Sequence, residues 1–301
     1  MRTRTSTRTL LIAAFAIVYI VWGSTYLAIR VAVETLPPFL LAGFRFLVAG
    51  TAMFIWLRFR GAKMPGKSQW FHAVVAGILM LLGGNGLVVW AEQTVPSNLT
   101  ALLVALTPVW FALLDWLRPG GKRPAMYTWI GIVVGLIGVV LLVTGRNASS
   151  INVTQNPLGV AALVLAGFSW AAGSLWVRYN TKTESPWMNA ALQMMGGGGA
   201  LLLLSLYHGE LMRLRFAQVS LPSCLSLLYL IVFGSWIAFS AYVWLLQASI
   251  PARVATYAYV NPVIAVLLGR LVLNEPLGLR AVWAAAIILA GVIITTLPKR
   301  E

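Results

Sequence analysis

Apolar runs close to the length of a membrane span follow one another along almost the whole chain. They lie at 10–30, 38–57, 70–91, 98–117, 125–144, 157–178, 186–206, 224–247, 252–273 and 279–297, each near the roughly 20 residues a helix needs to cross hydrocarbon. Charged residues are confined mostly to the gaps. The longest gaps, 145–156 and 207–223, are loops too short for an extramembrane domain. The pattern predicts an all-α integral membrane protein with ten transmembrane helices. Arg2, Arg4 and Arg8 precede the first run, as the start of a secretory leader would. That run continues through Trp22 to Ile29, longer than a leader's apolar core, and reads as a span that stays in the protein.

A second, longer period overlies the first. Trp22, Leu27, Arg30, Thr35, Pro38, Ala42 and Gly50 recur at one offset, 148 residues later, as Trp170, Leu175, Arg178, Thr183, Pro186, Ala190 and Gly198. Trp90, Gln93, Pro108 and Trp129 recur near offset 154 as Trp244, Gln247, Pro262 and Trp283. Matched Trp, Arg and Pro at a constant offset are hard to obtain by chance. The chain therefore reads as two related halves, 1–146 and 147–301, with five predicted spans each. An odd number of spans makes the second half enter the membrane from the opposite side. Two inverted-topology five-helix repeats are the expected fold, an arrangement typical of secondary transporters with a midplane site between the halves.

Charge sets the expected orientation. With the N-terminus inside, fifteen Lys and Arg fall on the cytoplasmic side, led by Arg58, Arg60, Lys63 and Lys67, against six outside. Both termini are then cytoplasmic. Glu34 outside is matched by Lys182 inside, as the bias requires. Composition agrees with a membrane protein: 60% hydrophobic, 10% charged and mean hydropathy +0.86, where soluble domains carry about a quarter charged residues. The net charge of +15 is scattered in short clusters rather than on an extended face, so the lipid bilayer and not nucleic acid is the expected partner. Cys224 is the only cysteine, and His72 and His208 stand apart near helix ends. Neither an intramolecular disulfide nor a metal site is expected.

Candidate chemistry comes from paired features near the expected midplane. Pro108 and Pro262 fall near the middle of the fourth and ninth spans, directly after Thr107 and Asn261. Each proline removes a donor and frees a carbonyl one turn earlier. That suits a substrate-contacting kink, and equally a packing kink capped by its polar neighbour. Trp22 and Trp170 stand about a dozen residues into their helices by the 1.5 Å rise, too deep for an interfacial belt. They suit stacking on an aromatic or cationic ligand, or filling space between helices. Tyr26, Trp110, Tyr242, Trp244, Tyr257 and Tyr259 extend the aromatic supply. Tyr257 and Tyr259 cannot both face one cavity, since i and i+2 diverge on a helix.

Asn85, within Gly83-Gly84-Asn85-Gly86, offers a hydrogen bond to a ligand or to a neighbouring helix, and the glycines permit close approach or local unwinding. Gly196 to Gly199, and Gly131 with Gly135, are expected packing surfaces. Asp115, Glu92 and Glu275 lie toward helix ends, and Glu92 and Glu275 read as structural charges. Arg45 lies deeper, about 10 Å below the outer end of its helix. Like Glu92 and Glu275 it reads as a structural charge, pairing with Glu92 or snorkelling outward, ahead of binding a substrate carboxylate. Its repeat partner is the neutral Gln193. No His, Asp or Glu reaches the middle to build a nucleophile–base pair or metal constellation, so catalysis is not expected.

Ala241-Tyr-Val-Trp-Leu-Leu-Gln-Ala-Ser-Ile-Pro-Ala-Arg-Val-Ala-Thr-Tyr-Ala-Tyr-Val-Asn-Pro262, continued by Leu268-Gly-Arg-Leu-Val-Leu-Asn-Glu-Pro276, resembles the second-half signature of the drug/metabolite transporter superfamily, EamA type. Trp22-Gly-Ser24 and Arg45 look like family positions in the first half. The first-half Glu-Pro is replaced by Asp115 to Pro119. The resemblance covers essentially the whole chain and implies a bacterial inner-membrane carrier. Its Trp/Tyr-rich centre is most similar to members that export aromatic amino acids.

The expectation is a secondary transporter that moves small neutral or zwitterionic metabolites outward by alternating access, aromatic and neutral amino acids above all. Its cavity would lie between spans 1, 3, 4, 6, 8 and 9. Trp22, Trp170 and Tyr257 would supply ring surfaces, with Tyr26, Trp110 and Tyr242 beside them. Asn85, Thr107 and Asn261 would bond the head group, and Pro108 and Pro262 would act as hinges. The alternatives are a multidrug exporter of lipophilic or quaternary cations, which would want a carboxylate that Leu10 to Ile29 lacks, and a passive channel. No cofactor is expected, and the oligomeric state is open.

Overall fold

The computed structural model describes residues 2–92, 95, 100, 103–143, 157–181, 185–273 and 279–296. Helix α1 (Arg2–Ala32) and helix α2 (Pro38–Phe59) are continuous. Helix α3 is composite: α-helical over Lys67–Gly77, π-helical over Ile78–Gly86 and α-helical again over Leu87–Glu92. Then come α4 (Thr107–Leu117), α5 (Met126–Val143), α6 (Pro157–Asn180) and α7 (Pro186–Tyr207). Helix α8 repeats the composite form, with Leu221–Tyr229, a π-helical Leu230–Phe239 and Ser240–Ala248. A helical turn, Pro251–Val254, leads into α9 (Tyr257–Leu273), and α10 (Leu279–Thr296) follows. Among the described residues, six helices are long and apolar enough to cross a membrane: α1, α2, α3, α6, α7 and α8. Shorter apolar stretches lie in α5 (Met126–Leu142) and α10 (Val282–Thr295).

The distribution of side chains is that of a protein dissolved in lipid. Ile12, Phe44, Ile55, Leu203, Leu228 and Ile293 lie exposed along the helices, while Ser174, Asn189, Gln193, Ser205, Ser235, Ser240 and Thr256 are buried. Polar groups that cannot be solvated by hydrocarbon turn inward, where neighbouring helices supply partners.

Helix starts follow local chemistry. Pro38 and Pro186 open α2 and α7, where a missing N–H is no loss. Ser185 caps α7 by accepting from the Met188 N–H. In α2 that task falls to a distant residue, Glu210, whose carboxylate accepts from the Phe39 N–H at 3.3 Å and the Leu40 N–H at 2.7 Å. A carboxylate is well placed at a helix N-terminus, where the dipole is positive.

Helices from the two sides of residue 147 interleave. α2 packs on α7 and α5 on α10; α1 packs on α8 and α9, and α6 on α3 and α4. The closest approaches are at glycine. A Cβ on Gly50 would come within 2.8 Å of the Ala191 carbonyl and the Met195 nitrogen, and one on Gly198 within 2.6 Å of the Leu47 nitrogen and 3.1 Å of the Gly43 carbonyl. Residues 43 and 191, 47 and 195, and 50 and 198 are each 148 apart, so the α2–α7 contact is reciprocal residue by residue. The two helices run antiparallel. Gly131, Gly138 and Gly291 bring α5 and α10 together in the same antiparallel sense. The expected packing role of Gly196, Gly197 and Gly198 also holds, whereas Gly199 faces open space.

Overpacking a tight contact costs about 1–3 kcal/mol. Gly50→Ala and Gly198→Ala should therefore each lower the thermal midpoint of the purified protein by several degrees, and Gly199→Ala should leave it unchanged. Equal midpoints for all three in a melting series would contradict this packing.

Candidate functional site

The first half contributes Trp22 through a helix that can approach closely. Gly23 makes this possible, since a Cβ there would sit 2.5 Å from Ile264 on α9. Trp22 thereby enters a cluster of four rings. Its ring centroid lies 5.7 Å from that of Trp170, 4.9 Å from Tyr242 and 5.0 Å from Tyr257. Tyr242 lies 5.7 Å from Trp170 and 5.5 Å from Tyr257. Most of these pairs are tilted or edge-to-face, the arrangements that ring quadrupoles favour. Four helices, α1, α6, α8 and α9, meet at this point. Trp22, Tyr242 and Tyr257 are almost wholly buried and Trp170 is half-buried. The rings fill the centre themselves.

Polar handles hold each ring. The Trp22 indole N–H donates to the Gly234 carbonyl at 3.2 Å. The Trp170 indole N–H donates to the Tyr242 hydroxyl at 2.9 Å, and the Ser174 hydroxyl shares a 2.7 Å bond with the same oxygen. Gly84 makes room for the Trp170 ring, as a Cβ there would reach its Cε3 at 2.8 Å. The two π-helical segments therefore meet the two tryptophan neighbourhoods. In α8 the Gly234 carbonyl receives Trp22; in α3 the Leu79 carbonyl receives the Ser169 hydroxyl, at 2.8 Å, beside Trp170. π-helical segments frequently mark functional sites.

The two prolines differ from one another. Pro108 does not lie inside a helix: the chain turns at 105–106 and α4 starts at Thr107. The missing proline N–H would have bonded the Val104 carbonyl, and the Thr107 hydroxyl takes its place at 2.6 Å. Pro262 is interior to α9, and the break on that side comes earlier, at 255–256. The symmetric pair of mid-helix kinks expected from the sequence is thus one helix start and one interior proline. Thr107 is buried with its hydroxyl committed to backbone. Asn261 is buried with its Oδ1 unpartnered, and its own carbonyl faces Gly23.

Trp110 packs edge-on against Phe168, at 5.6 Å, over Gly167 of α6, and its buried indole N–H has no partner. Tyr259 turns away from the ring cluster and packs on Gly135 of α5, so the divergence expected for Tyr257 and Tyr259 is what the helix produces. Asn85 and Arg45 line a separate cavity of about 20 Å³ with Ile29, Leu41, Val89 and Leu230. Arg45 does not snorkel: it is buried, its Nε donates to the Ser235 hydroxyl at 2.8 Å, and its guanidinium lies 4.7 Å from the Phe46 ring centre. The side chains of Tyr26, Arg30 and Glu92 lie outside what is described, as do Lys182 and Glu275 altogether.

Sequence reasoning missed Ser174, Gly234 and Ser235. A signal existed for Ser174, four residues after Trp170 and so on the same helix face. Gly234-Ser235 was hidden inside an apolar run. Among the described residues no three His, Cys, Asp or Glu side chains gather as metal ligands. The arrangement can bind a ring by its faces and edges and a head group by hydroxyls and amides.

Comparison with known proteins identifies the family. The family model described as the EamA-like transporter family matches residues 9–144 and again 157–297. The chain is 39% identical over 290 residues to the uncharacterized inner membrane transporter YedA of Escherichia coli (strain K12), covering 95% of this chain and 90% of that one. It is 26% identical to the uncharacterized transporter YvbV of Bacillus subtilis (strain 168), over 100% of this chain and 96% of that one. A protein solved by crystallography superposes with a TM-score of 0.80 at 20% identity, across 98% of this chain and 97% of that one, a likeness of fold. With one family model matched in both halves, the chain belongs to the EamA-like transporter family.

Proposed function

We propose that this membrane transporter is a secondary carrier of the bacterial inner membrane that exports small neutral or zwitterionic metabolites, aromatic amino acids foremost, by alternating access. The observation that carries the reading is the cluster of Trp22, Trp170, Tyr242 and Tyr257 where α1, α6, α8 and α9 meet. Such a surface recognises a planar ring by face and edge. Ser174 and Asn261 stand near enough to serve a head group. In this respect the centre resembles that of the aromatic amino acid exporter YddG.

The scaffold in this reading is ten spans in two inverted repeats, 1–146 and 147–301, with both termini in the cytoplasm. The reciprocal contact of Gly50 with 191 and 195, and of Gly198 with 43 and 47, supports it. Equivalent helices related by an axis in the membrane plane must run antiparallel, whereas an axis along the membrane normal would make them parallel. α2 with α7, and α5 with α10, run antiparallel.

Two sets of bonds would act as the gates. On the outer side Glu210 holds the start of α2, Ser24 bonds Tyr229 at 2.5 Å, and Ser223 donates to the Val31 carbonyl at 2.9 Å. On the inner side Arg178 donates to the carbonyls of Leu246 and Ser249 at the end of α8, and Tyr19 bonds Thr256 at 2.5 Å. With both sets closed, the conformer corresponds to an occluded state. Transport would open one set at a time, with the chain yielding at Pro108 and Pro262. The same rings would attract a lipophilic cation, but the buried Arg45 guanidinium beside Gly234 would repel one.

In proteoliposomes, radiolabelled L-phenylalanine and L-tryptophan should show saturable uptake and counterflow, and Trp22→Ala should reduce both about tenfold, the size of lost ring contacts. Saturable methyl viologen flux without amino acid movement would sink the reading; unsaturable flux without counterflow would point to a channel. For topology, Glu34→Cys and Lys182→Cys on a Cys224→Ser background should label from opposite sides of the membrane. Labelling from one side would refute the inversion.

A further inference from the structure

We propose that Arg45, Asn85 and Ser235 form a carboxylate-binding subsite beside the ring cluster, so that the species carried bears a carboxylate next to its ring. The inference rests on the ring cluster being the transport site, and it names the group that would orient the substrate there.

Arg45 is 6% exposed within a membrane-spanning helix. A guanidinium offers five donors. One, Nε, is used by Ser235, and the cation rests on the Phe46 ring. Among the described residues no carboxylate pairs with it; the ion pair found there joins Arg118 and Asp115. A buried cation is unfavourable in a low-dielectric interior unless it is paired, and charged residues in membrane spans mark substrate or ion paths. Arg45 lines the cavity of about 20 Å³ together with Asn85. That volume holds about one water-sized group. The remainder of its wall is apolar, so a group entering it is left to the guanidinium and the Asn85 amide.

The position is specific. A Cβ on Gly234 would lie 2.8 Å from the Arg45 Nη2, and the carbonyl of that same Gly234 accepts the Trp22 indole N–H. The cation and the ring cluster therefore flank a single glycine of the π-helical segment of α8. A carboxylate on Arg45 and an aromatic ring against Trp22 would both lie beside that residue. The charge is not something the scaffold needs. At the position 148 residues on, Gln193 of α7 is wholly buried with both amide atoms unpartnered. A neutral side chain fills the equivalent place, and the charge is present once, as one carboxylate requires.

The test is equilibrium binding to the full chain in nanodiscs, with L-phenylalanine, L-phenylalaninamide (the carboxylate replaced by a neutral amide) and L-alanine (no ring) as probes. Wild type should bind L-phenylalanine at least about tenfold more tightly than its amide, the scale of one charge-assisted hydrogen bond. Arg45→Gln, which copies Gln193, should abolish that preference by weakening L-phenylalanine, without weakening the amide. Arg45→Lys should restore part of it. Gly234→Ala keeps the charge but crowds Nη2, and should weaken L-phenylalanine more than the amide; it serves if the glutamine variant does not fold. Equal affinity of wild type for acid and amide would overturn the subsite and leave the ring reading standing, as would Arg45→Gln weakening both probes alike. L-alanine binding as tightly as L-phenylalanine, with Arg45 still required, would overturn the ring reading and leave the subsite. No binding of any probe would overturn both.

Discussion

Between helices surrounded by lipid there is little hydrophobic drive to associate, because the acyl chains are as apolar as leucine. What remains is close packing, and close packing of two backbones requires that side chains be absent. The contact between α2 and α7 meets this condition at Gly50 and Gly198, with Gly77 and Gly197 joining α3 to another face of α7. Everything nearer the centre depends on it. The α2–α7 seam sets the depth of Arg45 against α8, and the interleaving of α1 with α8 and α9 brings Trp22 to Trp170. Lose the seam, and the rings and the guanidinium no longer share Gly234.

The second constraint is that backbone polar groups in a membrane must find partners inside the protein. The two π-helical segments turn that constraint into contacts between helices. Gly234 offers its carbonyl to an indole on α1, and Leu79 offers its carbonyl to a hydroxyl on α6. The chain break before Pro108 is handled locally, by the Thr107 hydroxyl on the Val104 carbonyl. Several buried side-chain groups lack a partner, among them the Asn261 Oδ1 on α9 and the Trp110 indole N–H over Gly167 of α6.

Much of this was readable in advance, for physical reasons that differ by element. Helices that must cross hydrocarbon announce themselves by length and apolarity, so α1, α2, α3, α6, α7 and α8 coincide with apolar runs. The pairing of Trp22 with Trp170 was readable because a repeat copies large residues along with the fold. The divergence of Tyr257 and Tyr259 needed only the helical period. The π-helical segments were not readable, because widening a helix by one residue per turn leaves the apolar pattern intact. Nor was the difference between Pro108 and Pro262: a proline reports a missing donor, not whether the helix starts there or continues. The inward turn of Arg45 depended on Ser235, a residue 190 positions away in an apolar run.

In the proposed mechanism a substrate ring sits between Trp22 and Trp170, one from each half. The most direct measurement is ¹⁹F NMR of the 5-fluorotryptophan-labelled protein in nanodiscs, with the Trp22 and Trp170 resonances assigned by single Trp→Phe substitutions. Titration with L-phenylalanine should shift both resonances, saturably and with one common dissociation constant. If the protein transports L-phenylalanine while neither resonance moves, the ring cluster is a packing core and the site lies elsewhere.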